Sequence, residues 1–137
     1  MKAIDLTPLN KQLTKFLQLK KPNPKVVLVR NAESQGNLAG TITGWMDVKL
    51  SDFGRKQAFH LSSVYEDHAS LFTKVHCSDL QRSIDTSFYA MAFPGDEDSI
   101  FKSEMLRELN FGAHEGLHFD NLSPSEKKRF SSPDFKA

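Results

Sequence analysis

Residues 25–37 read Lys-Val-Val-Leu-Val-Arg-Asn-Ala-Glu-Ser-Gln-Gly-Asn, an unbroken apolar run that turns polar at a single point. Val26, Val27, Leu28 and Val29 are β-branched apart from one Leu, and no polar residue alternates with them. This pattern predicts a strand covered on both faces, the kind found in parallel or mostly parallel sheets. The polar run from Arg30 to Asn37 then follows the C-terminal end of that strand, where open α/β sheets place their ligands.

The remaining elements fit an α/β chain. Thr7-Pro8 supplies an N-cap oxygen followed by Pro at the first helical position. Leu6, Leu9, Leu13, Phe16 and Leu17 fall on one face of the following stretch, with Lys11, Lys15 and Lys20 elsewhere, so Thr7 to Lys20 is expected to form an amphipathic helix. That helix packs on its own sheet, docks on a partner chain or lies on a membrane surface. Pro22 and Pro24 end it. Gly36 to Asp47 has no period and is expected to be a loop. Ser51 can cap a helix running to about Tyr65, with Phe53, Gln57, Ala58, Leu61 and Val64 along its mostly apolar stripe. A strand is expected around Phe72 to Cys77 and a helix from about Leu80 to Ala92, stopped by Pro94-Gly95. Ser99 to Ser103 reads as a further strand, Arg107 to Gly116 as a loop, and Ser123-Pro124 as the start of a short last helix. Glu126 to Arg129 is expected to be solvated. Alternating strands and helices define the class.

With 137 residues, the chain is long enough for one domain with a real core. A formal net charge of +1 provides no field that would favour nucleic acid or a membrane. The single Cys77 excludes an internal disulfide and provides no metal-ligand spacing. Residues 1–25 hold six Lys and one acid, Asp5. They lack the apolar centre of a secretory signal and the Arg and Ser of a mitochondrial presequence. No apolar run approaches a membrane span.

Four separated segments carry a resemblance. The first is Leu28-Val29-Arg30-Asn31-Ala32-Glu33-Ser34, with Asn37 three residues on. The second is Thr43-Gly44-Trp45, continuing through Leu50-Ser51-Asp52-Phe53-Gly54 to Gln57-Ala58. The third is Cys77-Ser78-Asp79-Leu80-Gln81-Arg82-Ser83-Ile84-Asp85-Thr86. The fourth is Leu106-Arg107-Glu108, with Gly112 and Glu115-Gly116. In order and spacing they resemble the histidine phosphatase, or phosphoglycerate mutase-like, superfamily over residues 25–118. The fold implied is α/β, a truncated phosphoglycerate mutase-like three-layer arrangement with a mostly parallel sheet. Residues 1–24 would be an added N-terminal amphipathic extension and 25–137 a partial domain.

The resemblance implies a specific chemistry. In the family a neutral imidazole attacks a phosphoryl group, arginines cradle its oxygens, and a carboxylic acid protonates the leaving oxygen. Carried over by position, Arg30 and Arg82 match the phosphate arginines, and Asn37, Thr43 and Gly44 match further phosphate contacts. Glu108 matches the general acid. The nucleophile position holds Asn31, whose amide nitrogen is not a useful nucleophile although it can hydrogen-bond. His60, His68, His76 and His118 are poor substitutes, and His114, beside the expected site, is the best outsider. The family's second active-site histidine, in a later His-Gly turn, has no counterpart in residues 117–137. The strand leading to it lies beside the first strand in the family fold, so an open strand edge is expected here.

Three functional readings follow, with no cofactor implied by any of them. In the leading one the chain is a catalytically inactive structural or interaction subunit, with other protein chains as partners in a heteromeric complex or homodimer. In the second it is a sensor that binds phosphate or a phosphorylated metabolite. In the third it is a fragment or His-to-Asn variant of an active phosphatase or phosphomutase. A further, purely structural possibility is that Arg30, Arg82, Glu33 and Glu108 pair among themselves and hold no ligand. An intracellular location, cytoplasmic or mitochondrial, is expected, with no nucleic acid and only indirect membrane contact.

Overall fold

A computed structural model describes residues 11, 15, 26–66, 74–91 and 100–130. Lys11 and Lys15 are helical and exposed, and the rest of the expected N-terminal helix lies outside the described residues. The described elements, in order, are α1 (Gln35–Ala39), α2 (Asp52–Glu66), β1 (Val75–Cys77), α3 (Gln81–Met91), β2 (Ile100–Lys102) and α4 (Pro124–Phe130), with single 3-10 turns between β2 and α4. β1 and β2 run parallel, pairing Val75 with Ile100, His76 with Phe101 and Cys77 with Lys102. The chain is therefore α/β with a parallel sheet. No helix among the described residues is long and apolar enough to cross a membrane.

The core lies between α2 and α3, which pack on each other more extensively than any other pair of the described elements. Tyr65 and Ala90 are its buried centre, with Val27, Leu61 and Met91 packed around them. Burial pushes the Tyr65 hydroxyl above its ordinary pKa, and it does the same for the Cys77 thiol. Leu50 is completely buried. Ser51 caps α2 as expected: its hydroxyl accepts from Gly54 N at 2.9 Å and donates to Glu33 Oε1 at 2.5 Å. One side chain thus ties the helix start to the 30–34 loop.

Three expectations are corrected. The first concerns Val26 to Val29, which pair in no sheet among the described residues. Val26 is 71% exposed and Leu28 is 91% exposed. A doubly covered strand needs a ladder on each side and a layer on each face. Here only Val27 reaches the core, and a cavity of about 650 Å³ opens between this segment and β1. Second, Gly36 to Asp47 is not all loop. Ser34 N donates to Asn37 Oδ1 at 3.0 Å and Ser34 Oγ accepts from Asn37 N at 3.1 Å. This reciprocal capping box starts α1, and Gly40, at φ 67°, ends it. Third, the Glu126 end of the last helix is not simply solvated. Glu126 accepts from Ser123 N at 2.8 Å and lies 3.1 Å from His114 Nε2.

Two outcomes are expected. Gly54 lies inside α2, where Ala is normally favoured by about 1 kcal/mol. A β-carbon there would collide with the Glu33 carbonyl oxygen, a backbone atom that cannot swing away. Gly54→Ala is therefore expected to destabilise the chain by about 1–3 kcal/mol in urea unfolding, and an unchanged midpoint would refute this packing. Hydrogen bonds from Ser123, then His114, hold the Glu126 carboxyl down from 4.5 to about 2. A depressed carboxyl stabilises fully above its unfolded pKa and loses that contribution as the pH falls through the folded one. The docking of α4 on His114 should therefore weaken as pH falls from 4.5 towards about 2. In Glu126→Gln the ring resonances of His114 and Phe130 should lose that acid-range transition.

Candidate active site

The loop after the first apolar segment is held from two sides. Ala32 N donates to Thr86 Oγ1 on α3 at 3.1 Å. Glu33 N donates to Gln57 Oε1 on α2 at 3.0 Å. Ser51 N donates to the Glu33 carbonyl at 2.9 Å. The Gln and Thr of the second and third motifs thus act here as fasteners for the first. Gln57, expected on the apolar stripe of its helix, instead turns its amide oxygen to the Glu33 main chain.

Arg82 sits on the first turn of α3 and is only 3% exposed. Its Nη1 donates to the Met46 carbonyl at 2.9 Å and its Nη2 to the Gly44 carbonyl at 2.7 Å. Glu108 Oε2 stands 3.6 Å from Nη2. Two of the five guanidinium donors are thus spent on main-chain carbonyls of the 43–47 loop, while a half-exposed carboxylate balances the charge. That loop is anchored at three further points. Gln81 N, at the start of α3, donates to Asp47 Oδ1 at 2.6 Å. Trp45 Nε1 donates to the Glu108 carbonyl at 2.8 Å. Glu115 Oε1 accepts from Trp45 N at 2.8 Å and from Phe111 N at 3.0 Å. Gly44 has φ 47°, and a β-carbon there would strike the Glu115 carboxylate. The positive φ favours glycine here, and a larger residue would also have to displace the Glu115 carboxylate from Trp45 N.

A second ion pair stiffens the same rim. Arg107 grips Asp79 through Nε, at 2.7 Å, and through Nη2. Its guanidinium carbon also sits 4.8 Å from the centroid of the Trp45 ring. Hydrogen bonding to Arg107 holds the Asp79 carboxyl below the usual range, and the same contact raises the Arg107 guanidinium. Adjacent charges in the motifs, Asp79 three residues before Arg82 and Arg107 next to Glu108, were the available signal for this pair.

Arg30, Asn31, Arg82 and Glu108 all line the cavity of about 650 Å³. Asn31 Nδ2 donates to the Ala32 carbonyl at 2.8 Å. Arg30 is exposed and has no ion pair among the described residues. The other expected phosphate residues lie off the cavity wall. Asn37 serves the α1 cap. Thr43 is buried against Gly36, and Gly44 offers its carbonyl to Arg82. The proposed four-residue polar cluster forms only in part: Arg82 meets Glu108, but Glu33 turns to Ser51.

The histidines are accounted for locally. His60 Nδ1 lies 2.7 Å from the Lys56 carbonyl. His76 stacks on Phe101 at 5.0 Å. His114 meets Glu126, and His118 backs onto Gly40 while accepting from Asp120 N at 3.2 Å. His68 lies outside the described residues.

Residues 26–136 match the Histidine phosphatase superfamily (branch 1). The chain belongs to that family. Among curated relatives, the 2,3-bisphosphoglycerate-dependent phosphoglycerate mutase of Lactobacillus acidophilus is 34% identical over 98 residues, covering 69% of this chain and 41% of the relative. The corresponding enzyme of Lactococcus lactis subsp. cremoris is 36% identical over 96 residues, with the same coverage. Among solved structures, phosphoserine phosphatase of Entamoeba histolytica in complex with 3-phosphoglyceric acid superposes with a TM-score of 0.62 at 27% identity. It covers 79% of this chain and 54% of that one. The Thermus thermophilus protein TTHB049 gives a TM-score of 0.59 at 31% identity, covering 74% and 54%. The chain thus spans 41% of the length of these curated relatives and about half of the solved structures.

The buried guanidinium makes the site's rim depend on one side chain. Arg82→Ala leaves the Gly44 and Met46 carbonyls without their donor and Glu108 without its counter-charge. A loss of about 2–4 kcal/mol in urea unfolding is expected, with a shift in the emission of Trp45. Lys carries its donors on one nitrogen, which cannot span both carbonyls as the planar guanidinium does, and should recover only part of that loss. Wild-type stability in Arg82→Ala would refute the clamp.

Proposed function

We propose that this histidine phosphatase-family chain works as a non-catalytic structural or interaction subunit. The observation that carries the reading is the state of Arg82. Its guanidinium is directed at two main-chain carbonyls and a carboxylate, which is a fastening rather than an anion cradle. Asn31 supports the same reading, since its amide nitrogen donates to the next carbonyl and offers no lone pair for attack on phosphorus. A chain of this kind keeps the family's loop architecture while its partners gain a stiff, preformed surface. The exposed apolar side chains of Val26, Leu28 and Val29 favour such a partner.

A second reading, binding of a phosphorylated ligand, is favoured by one feature. Arg30 is exposed at the cavity wall next to the Asn31 amide, so a charged donor with no counter-ion among the described residues faces the open space. The partial coverage of the curated mutases supports a third reading, that of a portion of an active phosphatase or phosphomutase.

The deciding experiment incubates the chain with radiolabelled 2,3-bisphosphoglycerate and follows acid-labile, base-stable phosphoenzyme and product release. No phosphoenzyme is expected in the chain as it stands, which has an amide at position 31, or in Asn31→His, in which Arg82 would still be turned towards the Gly44 and Met46 carbonyls and Glu108. Phosphoenzyme in the unaltered chain would overturn the non-catalytic reading. Calorimetric titration with inorganic phosphate and 3-phosphoglycerate tests the second reading: binding that Arg30→Gln abolishes would establish it.

A further inference from the structure

In the first turn of α4, Glu126 works in two directions. Its Oε2 accepts from Ser123 N at 2.8 Å and from Ser123 Oγ at 2.6 Å. Its Oε1 lies 3.1 Å from His114 Nε2. His114 closes the 3-10 turn Gly112–His114, and its ring meets that of Phe130 on α4 edge-on at 5.1 Å. The other ring nitrogen, Nδ1, lies 3.3 Å from the Phe111 carbonyl oxygen. Both nitrogens of one half-buried imidazole thus face oxygen acceptors. A neutral imidazole has one N–H and one lone pair, whereas the imidazolium has two N–H donors. In this orientation a neutral ring sets its lone pair against either the carboxylate or the carbonyl, and only the charged ring donates to both. The turn is also built into the rim of the site. Glu115, the next residue, accepts from Trp45 N at 2.8 Å and from Phe111 N at 3.0 Å. Gly116 N donates to the Ile42 carbonyl at 2.8 Å, and Ile42 N to the Leu117 carbonyl at 3.0 Å. Among the described residues, the other charged or titratable groups of these elements are Lys127, Lys128 and Arg129 on α4, Glu115, and the pair His118 and Asp120. Lys127 is turned to the Asp120 carbonyl and the Phe119 ring, so the carboxylate that meets the imidazole is that of Glu126.

We propose that His114 is a proton-dependent latch, whose imidazolium fastens α4 to the turn that carries Glu115 and whose neutral form loosens α4 and, through Glu115, the Trp45 side of the rim. The latch goes beyond the interaction-subunit reading and does not depend on it. A group held in its charged, protonated form contributes fully below its unfolded pKa, about 6.5 for an imidazole, and loses that contribution as pH rises through the folded one. Glu126 has the opposite sign: its contribution is present above 4.5 and is lost as pH falls towards about 2. The latch is therefore closed between the two transitions, and within the neutral range it is the imidazole proton that opens it.

The test follows the full chain by NMR and fluorescence from about pH 5 to about pH 8. Trp45 is the one Trp of the chain, so emission reports the rim directly. The His114 ring resonances, the Trp45 indole N–H and the emission are expected to change together at one midpoint. Amide exchange in residues 124–130, corrected for its intrinsic pH dependence, should speed up roughly two- to fivefold across that midpoint. His114→Phe keeps a ring against Phe130 but has no proton to lose, so Trp45 and α4 should then show no transition. Glu126→Gln removes the charge without shortening the side chain and should move the His114 midpoint to lower pH. That variant still decides the matter if His114→Phe fails to fold. The proposal is overturned if Trp45 is unchanged while His114 titrates, or if α4 exchanges equally on both sides of the midpoint. It is also overturned if the Trp45 transition persists in His114→Phe, since another histidine would then be its source, or if Glu126→Gln leaves the His114 midpoint where it was.

Discussion

The guanidinium of Arg82, 3% exposed, is the contact on which the site's rim depends. It holds the carbonyls on both sides of Trp45 and brings Glu108 to their flank. The consequences spread from there. Trp45 is placed to donate to the Glu108 carbonyl and to lie under Arg107. Asp47 is placed to receive the first amide of α3, the helix that carries Arg82. The loop and the helix thus fix each other, and a charge that would be costly to bury alone is satisfied by two dipoles and a carboxylate. A guanidinium so engaged holds the 43–47 loop in place beside Asn31 whatever the residue at that position does.

The second organising fact is the gap beside β1. In a covered α/β sheet, strand edges and apolar faces are satisfied from both sides. Here α2 and α3 close one face through Tyr65, Ala90 and Val27, while Val26 and Leu28 stay in contact with solvent. The rigid rim and the cavity share one wall, since Arg82 and Thr86 belong to both the clamp and the cavity lining.

Much of this was legible in residue order. Ser51 announces α2, and its hydroxyl does cap Gly54 N. Ser123-Pro124 announces α4, with Glu126 completing its capping box. Arg82 and Glu108 were singled out from the motifs, and they do meet. Such features are local or depend on one side chain's chemistry, so spacing reveals them. The short helix α1 was missed because its cap uses Asn37 in place of the usual Glu or Gln. The roles of Gln57, Thr86 and Glu115 were missed because each fastens a loop many residues away.

By itself the sequence determined the family, the α/β class, most helix starts and the absence of a nucleophilic imidazole at position 31. These are properties of side-chain type and periodicity. Only the tertiary structure decided what Val26 to Val29 become and which way Arg82 points. An apolar run becomes a buried strand only if ladders and layers surround it, and how many guanidinium donors remain for an anion depends on which carbonyls packing has brought to them. Both outcomes turn on which groups long-range packing brings within bonding distance, and no stretch of sequence carries that information alone.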